Sequence, residues 1–260
     1  MTTNPSSNAG LRAGEDTAEM APAPPGIFCH NLRFSYGPRQ VLRGLDLSVA
    51  PGECLVLFGG NGAGKTTLVR ILATLIRPTS GEAWVAGFNV DAQPSSVRPL
   101  VGVISHQMYL FPDLTARENL ELYSSLYEVS HGPCRIAELL DLVGLTRRAD
   151  DLVRTMSRGM QQRLSLARVL LGEPRVLLLD EPDTGLDSSA LQVLSQVLSE
   201  GLRNGLAVLV ATHRIGEGYR LGTRFGVLTR GKLAFEASRE SMSVEELEYR
   251  YRAYLDGHHP

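Results

Sequence analysis

The stretch Gly59 to Thr67, GGNGAGKTT, decides the fold of this chain. It follows ECLVLF, a continuous apolar run typical of a buried strand, and it precedes apolar residues that recur at helical spacing from Leu68 to Ile76. It matches the pattern Gly-x-x-x-x-Gly-Lys-Ser/Thr, in which a glycine-rich turn between a strand and a helix receives phosphate. The sequence therefore predicts an α/β domain with a phosphate cradle between a strand and a helix.

The residue types within this loop suit nucleotide phosphates. Gly59, Gly62 and Gly64 allow backbone conformations barred to other residues, so that successive N–H groups point inward beside the positive end of a helix. Lys65 is predicted to reach the β- and γ-phosphates, and the Thr66 hydroxyl is predicted to ligate Mg²⁺. The predicted nucleotide-binding loop consists of Gly59, Gly60, Asn61, Gly62, Ala63, Gly64, Lys65, Thr66 and Thr67.

A second motif, RVLLLDEP from Arg175 to Pro182, completes the predicted phosphate chemistry. Asp180 at the end of its apolar run suits a Mg²⁺ partner that acts through water. Glu181 follows, and a carboxylate beside the metal can align and deprotonate an attacking water. An Asp-Glu pair after a strand is by itself often only a helix-start signal. In combination with the cradle it indicates a catalytic site.

The composition of the chain limits the classes of protein to which it could belong. The chain has 260 residues, of which 43% are hydrophobic, enough for one large domain or a domain with an inserted lobe. Its formal net charge of −2 argues against a nucleic-acid partner. The cysteines are scattered without a CxxC pair, so no disulfide or zinc framework is expected. No apolar run approaches the roughly 20 residues of a membrane span.

The pattern of apolar runs predicts the organisation of the chain. Residues 1–26 are Pro- and Ala-rich and are interpreted as a disordered leader. Buried strands that alternate with helices imply a parallel sheet covered on both faces. An N-terminal hairpin and a late hairpin around Arg230-Gly231 are expected to form a small antiparallel sheet beside it. GEAWVAGFNV (81–90) indicates a short edge strand, Leu114 to Leu152 a helical lobe, and SVEELEYRYRAYL (243–255) a short charged helix.

The stretch TMSRGMQQRLSLARVLL, from Thr155 to Leu171, predicts a helix whose first turn is unusually polar. A hydroxyl and a glycine at the start of a helix form a site for an anion. The alternative is an ordinary serine-capped helix with a solvated arginine face.

With these motifs in this order, the chain resembles the nucleotide-binding subunit of an ATP-binding-cassette (ABC) transporter across roughly Ile27 to Glu236. The resemblance implies an α/β P-loop NTPase with a parallel core sheet, a small antiparallel β-subdomain and an inserted α-helical subdomain. The implied ABC ATPase domain covers residues 27–236, with a helical lobe at about 109–160, and a C-terminal helix and tail cover residues 237–260. ATP and Mg²⁺ are the implied cofactors, and ATP hydrolysis is the implied reaction.

The resemblance also implies roles for individual residues. Tyr36 matches the aromatic residue that stacks on adenine, although a tyrosine in FSYG alone is more often a packing residue. Gln107 matches the glutamine that joins metal and water to the helical lobe. His213 matches the histidine that contacts the γ-phosphate and orients the water, although a lone histidine after a strand usually only caps it. Glu181 is the implied catalytic base, and Asp187 in EPDTGLD is the implied dimer-facing aspartate.

The segment MSRGM lies where the family carries Leu-Ser-Gly-Gly-Gln. Ser157 and Gly159 match, whereas Met156, Arg158 and Met160 depart from the pattern, and the Met160 side chain cannot hydrogen-bond as glutamine would. In the family this signature faces ATP held by a second copy. The anion implied for the polar first turn is therefore the γ-phosphate bound by a partner chain.

The implied function is that of an ATPase subunit which powers movement of a substrate through a separate membrane permease. The implied partners are a second copy or a homologous ATPase subunit and the permease, and the implied location is the cytoplasmic face of the cell membrane. Stretches such as SHQMYLFPDLTARENL resemble the haem-exporter ATPases of cytochrome c maturation, and similar stretches occur in exporters of drugs, lipids and polysaccharides. The expected transporter is thus an exporter of the haem or ABC-2 type.

Two other classes of protein contain a similar phosphate-binding loop. Non-transport ABC ATPases in translation or DNA repair normally carry two cassettes, long coiled-coil inserts or zinc modules, and this sequence has one cassette and no CxxC. A small-molecule kinase with a P-loop would lack the signature and the histidine. The fold alone does not separate these classes.

Overall fold

The structure is a computed structural model that describes residues 25–105, 107–182 and 188–255. The strands are β1 Ile27–Tyr36, β2 Arg39–Val49, β3 Cys54–Phe58, β4 Ser80–Val85, β5 Phe88–Asn89, β6 Val101–Ile104, β7 Val176–Asp180, β8 Ala207–Thr212, β9 Arg224–Thr229 and β10 Lys232–Ser238. The helices are α1 Lys65–Leu72, α2 Pro94–Val97, α3 Ala116–Leu126, α4 Gly132–Leu142, α5 Arg158–Leu170, α6 Ser188–Arg203, α7 Ile215–Leu221 and α8 Val244–Leu255.

The central sheet contains the strand that leads into the cradle. In the described part of the chain its six strands lie in the order β10-β9-β3-β8-β7-β6. All neighbours pair in parallel except β10, which runs antiparallel to β9. Every residue of β3, β7 and β8 is buried, as is typical of parallel strands covered on both faces. The predicted α/β fold with a parallel core sheet is therefore confirmed.

A second sheet is antiparallel and has the order β2-β1-β4-β5. The predicted N-terminal hairpin is confirmed as β1 and β2. The prediction that the late hairpin joins this sheet is wrong, because β9 pairs with β3 in the central sheet. Phe225 and Val227 of β9 are fully buried there, and burial of these apolar side chains favours the central position.

Two further expectations from the sequence need correction. The segment 81–90 forms a hairpin in which β4 lies between β1 and β5, so β5 rather than β4 is the edge strand on this side of the sheet. Helix α1 ends at Leu72 rather than at Ile76, because Thr74 adopts a left-handed conformation with φ 59° and Leu75 turns outward into solvent. Strand β6 was not predicted, since it has only four residues and includes Gly102.

The helical lobe has an apolar core of its own, formed by α3, α4 and the inner face of α5. Thr115 and Glu118 form a capping box at the start of α3, in which each side chain accepts a hydrogen bond from the other's backbone N–H. Helix α5 is shared between two cores. Leu164 and Ala167 pack in the lobe, whereas Leu166 and Val169 pack against the central sheet.

The C-terminal segment folds as the predicted helix, α8, and lies against the central sheet. Its Leu247 and Tyr251 side chains are buried in the same apolar cluster as Phe58 of β3. Across the described ranges 25–105, 107–182 and 188–255, no helix has both the length and the apolar character that a bilayer crossing requires.

Candidate functional site

The loop between β3 and α1 has the backbone that the glycines of the sequence predicted. Gly62 and Gly64 have φ values of 78° and 115°, which favour glycine. A Cβ on Gly64 would also lie 2.8 Å from Leu42 Cδ2. Gly59 is required for a different reason, because a Cβ added at this position would lie 2.7 Å from the carbonyl oxygen of Leu228. The loop can therefore turn tightly beneath β9 and present its N–H groups to a ligand.

Lys65 is the first residue of α1 and only 6% of it is exposed. Its Nζ donates a hydrogen bond of 2.6 Å to the carbonyl oxygen of Gly59 and lies 3.6 Å from Oε1 of Glu181. A buried ammonium group needs such oxygen partners to offset the loss of water. The lysine is thus held at the mouth of the loop, between the cradle and the carboxyl end of β7.

Thr66 and Asp180 converge beside this lysine. The Thr66 hydroxyl donates a hydrogen bond of 3.1 Å to Oδ1 of Asp180, the last residue of β7. Asp180 is 5% exposed and forms no ion pair with any residue that the structure describes. A hydroxyl oxygen next to a buried carboxylate without a cation is the kind of hard-oxygen donor set that Mg²⁺ prefers. These two residues therefore fit the magnesium ion that the sequence implies.

Glu181 occupies a backbone conformation that is uncommon for a side chain of its size. Its φ is 52°, in the left-handed region, and its N–H donates a 2.8 Å hydrogen bond to the carbonyl oxygen of Ala211. Such conformations cost about 1–3 kcal/mol and cluster at functional sites. The consequence here is that the chain turns at the end of β7, and the carboxylate faces Lys65 and His213.

His213 follows β8, the neighbour of β7 in the central sheet. Its Nδ1 lies 2.6 Å from Oε2 of Glu181, and its side chain is half-exposed. Since parallel neighbours bring their carboxyl ends to the same edge of a sheet, the residues that follow them meet there. Separate roles at the attacking water were predicted for Glu181 and His213, and the structure brings the two side chains into contact.

A cavity of about 650 Å³ opens above the cradle and joins these groups. Tyr36 lines it with an exposed ring, which packs edge-on against Phe34 with ring centroids 4.7 Å apart. The cavity is lined by Tyr36, Arg39, Val41, Gly60, Asn61, Gly62, Ala63, Gly64, Lys65, Thr66, Thr67, Glu181 and His213.

Sequence reasoning missed Arg39 and Val41. Arg39 pairs with Tyr36 across the tight turn of the β1–β2 hairpin, which places both at the cavity. The guanidinium of Arg39 lies 3.4 Å from the position that a Cβ on Gly62 would occupy, and it forms no hydrogen bond or ion pair with the described residues. The predicted hairpin could have identified Arg39, because a residue paired with Tyr36 across the two strands lies beside the proposed adenine site.

Three predicted site residues are placed elsewhere in the described chain. Gln107 is exposed, and its backbone N–H and carbonyl oxygen are each 3.3 Å from the Ser105 hydroxyl. Ser157 caps α5 by accepting a 3.3 Å hydrogen bond from the Met160 N–H, and Gly159 is buried in the first turn. None of the three lines the cavity. Asp187 lies outside the described residues.

The order and spacing of these groups extend over a large part of the chain. A sequence model of the family described as ABC transporter matches residues 42–184, from the β2 strand through Glu181 and beyond. The chain belongs to the ABC transporter family. The resemblance inferred from the motifs is thereby confirmed, and the chain is an ATP-binding subunit with the ATPase machinery of this family.

Relatives of this ABC transporter chain cover most of its length. It is 38% identical over 218 residues to a Nod factor export ATP-binding protein I from Paraburkholderia xenovorans, which covers 83% of this chain and 72% of the relative. It is 31% identical over 205 residues to the linearmycin resistance ATP-binding protein LnrL from Bacillus subtilis, covering 78% of this chain and 66% of the relative.

The fold of this ABC transporter chain also matches solved structures. One is the dimeric structure of a post-hydrolysis state of an ATP-binding cassette bound to ADP and Pi. The match has a TM-score of 0.71 at 28% identity and covers 82% of this chain and 98% of the other. It supports the architecture of a parallel core sheet, an antiparallel sheet and helices.

Proposed function

We propose that this chain binds ATP with Mg²⁺ and hydrolyses it to power export of a substrate through a separate membrane permease. The observation that carries the catalytic part is the meeting of Lys65, Glu181 and His213 at one end of the cavity above the cradle. Each comes from a different element, so local folding of one segment does not account for their meeting.

In this proposal ATP enters the cavity with its phosphates over the loop and its adenine on Tyr36. Lys65 exchanges its contact with the Gly59 carbonyl for the phosphate oxygens, which are stronger acceptors because they carry charge. Arg39 at the cavity wall adds a second cation near the phosphates. Thr66 and Asp180 would hold Mg²⁺, which when bound neutralises phosphate charge.

Glu181 is the proposed general base for the attacking water. A carboxylate within hydrogen-bond reach of a water can accept its proton as the oxygen attacks. His213, at 2.6 Å from the Glu181 carboxylate, is proposed to orient that carboxylate and the water and to contact the γ-phosphate. Gln107 is proposed to join the water and metal to the helical lobe.

Two copies are proposed to share each ATP. Ser157 and Gly159 lie at the start of α5 and do not line the cavity of their own chain. A helix start with a serine cap suits a phosphate oxygen, so a second chain is the proposed source of that phosphate. The match to a dimeric cassette bound to ADP and Pi supports this arrangement. Asp187 is proposed to face the same dimer interface.

The permease and the direction of transport are proposed from the relatives. One relative is described as a Nod factor export protein and another as a linearmycin resistance protein, and both descriptions favour an exporter. The narrower resemblance to haem exporters gains no support from these relatives. The proposed place of work is the cytoplasmic face of the cell membrane, where the chain attaches through its permease. A non-transport role is less favoured because the relatives named here are transport or resistance proteins.

A two-part experiment tests the proposal. The purified full chain should hydrolyse ATP in the presence of Mg²⁺, and the Glu181→Gln variant should not. The tagged full chain, isolated from detergent-solubilised membranes of its native cell, should carry an integral membrane protein with it in stoichiometric amount. An active ATPase that associates only with ribosomes or DNA-repair proteins would overturn the transport part and leave the ATPase part intact.

A further inference from the structure

The C-terminal helix α8 packs against the strand that enters the phosphate cradle. The Tyr251 ring lies 6.1 Å from the Phe58 ring, at an interplanar angle of 56°. Phe58 is the last residue of β3 and immediately precedes Gly59, whose carbonyl oxygen accepts the Lys65 hydrogen bond. A side chain of α8 is therefore separated from the cradle by a single buried ring.

The end of the same helix reaches the cradle itself. A Cβ on Gly60 would lie 3.2 Å from Leu255 Cδ2, and no other atom of the described residues, the adjacent ones aside, lies within 4 Å of that position. Leu255 is thus the neighbour of the loop on the side where Gly60 has no side chain. Removal of the Leu255 side chain takes away this contact with the loop.

Tyr251 is also influenced by the charge at the end of β7. Burial raises the pKa of its phenol, and the negative charge of Glu181 raises it further. Glu181 is the residue whose carboxylate contacts Lys65 and His213. The last turn of α8 therefore contacts the cradle through Leu255, and the charge of the proposed base acts on Tyr251.

The rest of α8 is anchored independently of the cradle. Leu247 is fully buried, the Arg250 guanidinium lies 5.0 Å from the centre of the Phe235 ring, and the Tyr254 ring stacks on Phe235 at 6.1 Å. Leu247, Tyr251 and Leu255 are four residues apart, so they share one face of the helix. This face packs on the central sheet at Leu247 and Tyr251 and reaches the loop at Leu255, which is half-exposed.

We infer that Tyr251 and Leu255 are positioning residues of the nucleotide site, which hold Phe58 to Gly60 in the conformation that receives phosphate. Neither residue lines the cavity, so both act through the loop. The inference rests on the proposed binding of ATP at the cradle. It gives the C-terminal helix, whose role the sequence left open, a place in the ATPase cycle.

The first test measures ATP affinity in the full chain with Mg²⁺ present. Tyr251→Ala and Leu255→Ala should each weaken the Kd by about threefold to tenfold, on the scale of a lost packing interaction between neighbouring residues. The KM for ATP should rise with little change in kcat, since the chemical groups are untouched. Tyr251→Phe and Leu255→Met, which keep the packing volume, should retain the parent affinity.

The matched control is Tyr249→Ala, on the same helix with 69% of its surface exposed. It should leave the Kd unchanged. Thermal melting distinguishes a positioning role of the helix from a merely structural one. A merely structural helix would give variants with a lower Tm and the parent Kd, and that result would overturn the inference.

A double-mutant cycle tests the contact with the loop directly. Gly60→Ala should weaken ATP binding because the new methyl group meets Leu255, and the loss should be smaller when Leu255→Ala is already present. Additive effects of the two substitutions would overturn the inference even if Tyr251→Ala fails to fold. If the parent chain itself binds no ATP, the proposed function fails instead, so the two failures are distinguishable.

Discussion

His213 Nδ1 and Glu181 Oε2 lie 2.6 Å apart and connect the carboxyl ends of two adjacent parallel strands. The other oxygen of the same carboxylate faces Lys65 at 3.6 Å. Glu181 therefore contacts the histidine after β8 and the lysine of the cradle at once. This arrangement restricts the carboxylate to an orientation toward the cavity, where the γ-phosphate and its attacking water are proposed to lie.

We expect Glu181→Gln to lower ATP turnover by about 10²–10⁴-fold, because the amide keeps the size of the side chain but cannot accept the proton. ATP should still bind, since the cradle and Tyr36 are unchanged. Single-turnover hydrolysis and equilibrium binding measured on the same preparation check both parts. Glu200→Gln, an exposed position on α6, is the matched control. Turnover within about threefold of the parent would remove Glu181 from its role.

Tyr36→Ala should weaken ATP binding by about 1–2 kcal/mol, the scale of lost aromatic stacking and apolar contact. Tyr36→Phe and Tyr36→Trp should be tolerated, because they retain a ring at the cavity. Titration calorimetry with ATP measures the difference. Phe28→Ala, which removes an exposed ring from the same strand, should leave the affinity unchanged. If Tyr36→Ala binds as the parent does, the ring serves only to pack against Phe34.

Asp180→Asn should reduce the gain in ATP affinity that Mg²⁺ provides by about tenfold, on the scale of altered metal environments. The amide can still accept the Thr66 hydrogen bond, so the fold should persist. Binding measured with Mg²⁺ and with EDTA checks this, and in EDTA the variant and the parent should differ little. The exposed Asp91→Asn is the control. An undiminished Mg²⁺ effect in Asp180→Asn would exclude this carboxylate from the metal site.

Ser157→Arg should abolish ATP-dependent pairing of two chains, since it removes a hydrogen bond to charged phosphate worth about 1.5–3 kcal/mol and adds bulk. Nucleotide binding by the monomer should stay nearly intact, because Ser157 does not line its own cavity. Size-exclusion chromatography with ATP in a Glu181→Gln background measures pairing. The exposed Ser199→Arg is the control.

The same background allows a complementation experiment. A mixture of Ser157→Arg and Lys65→Ala chains can form one site from an intact cradle and an intact helix start, so it should pair more than either variant alone. Pairing of Ser157→Arg chains at the parent level would show that this serine captures no phosphate from a second chain.

The helical lobe, residues 109–151, should provide the surface that docks on the permease. Tyr109, Phe111, Leu126 and Tyr127 are exposed apolar residues there, and clustered exposed apolar surface marks sites of interaction. A photo-cross-linking residue at Leu126 in intact cells should form an adduct with an integral membrane protein. The same probe at the exposed Tyr249 of α8 should not. Adducts from Leu126 with soluble proteins alone would contradict the transporter role.

The sequence predicted those parts of the site whose functional residues are close together along the chain. The cradle, Asp180 and Glu181 stand at fixed offsets from a strand end, so their spacing reveals their placement. His213 was identified only through the order of motifs, and its contact with Glu181 depends on the pairing of β7 with β8. Pairing of that kind is a long-range property that a single sequence does not encode locally.

The misplaced elements have specific causes. The alternating pattern of β9 and β10 correctly predicts a hairpin, but an antiparallel hairpin can join either sheet. The burial of Phe225 beside β3 places this hairpin in the central sheet. Gly102 weakened the signal for β6, although the close approach of Val169 requires it there. Gln107, Ser157 and Gly159 do not line the cavity of this chain, so their roles stay predictions.

Helix α5 belongs to the lobe core through Leu164 and Ala167 and to the sheet core through Leu166 and Val169. At Gly102 the helix and sheet are in such close contact that an added Cβ would lie 2.4 Å from Val169. A push on the lobe would therefore be transmitted to α5 through its own packing contacts. Ser157 lies about 18 Å along the helix from Val169, so a rigid tilt of about 5° about this contact would move the helix start by about 1.6 Å. Such a displacement would be about half the length of a hydrogen bond.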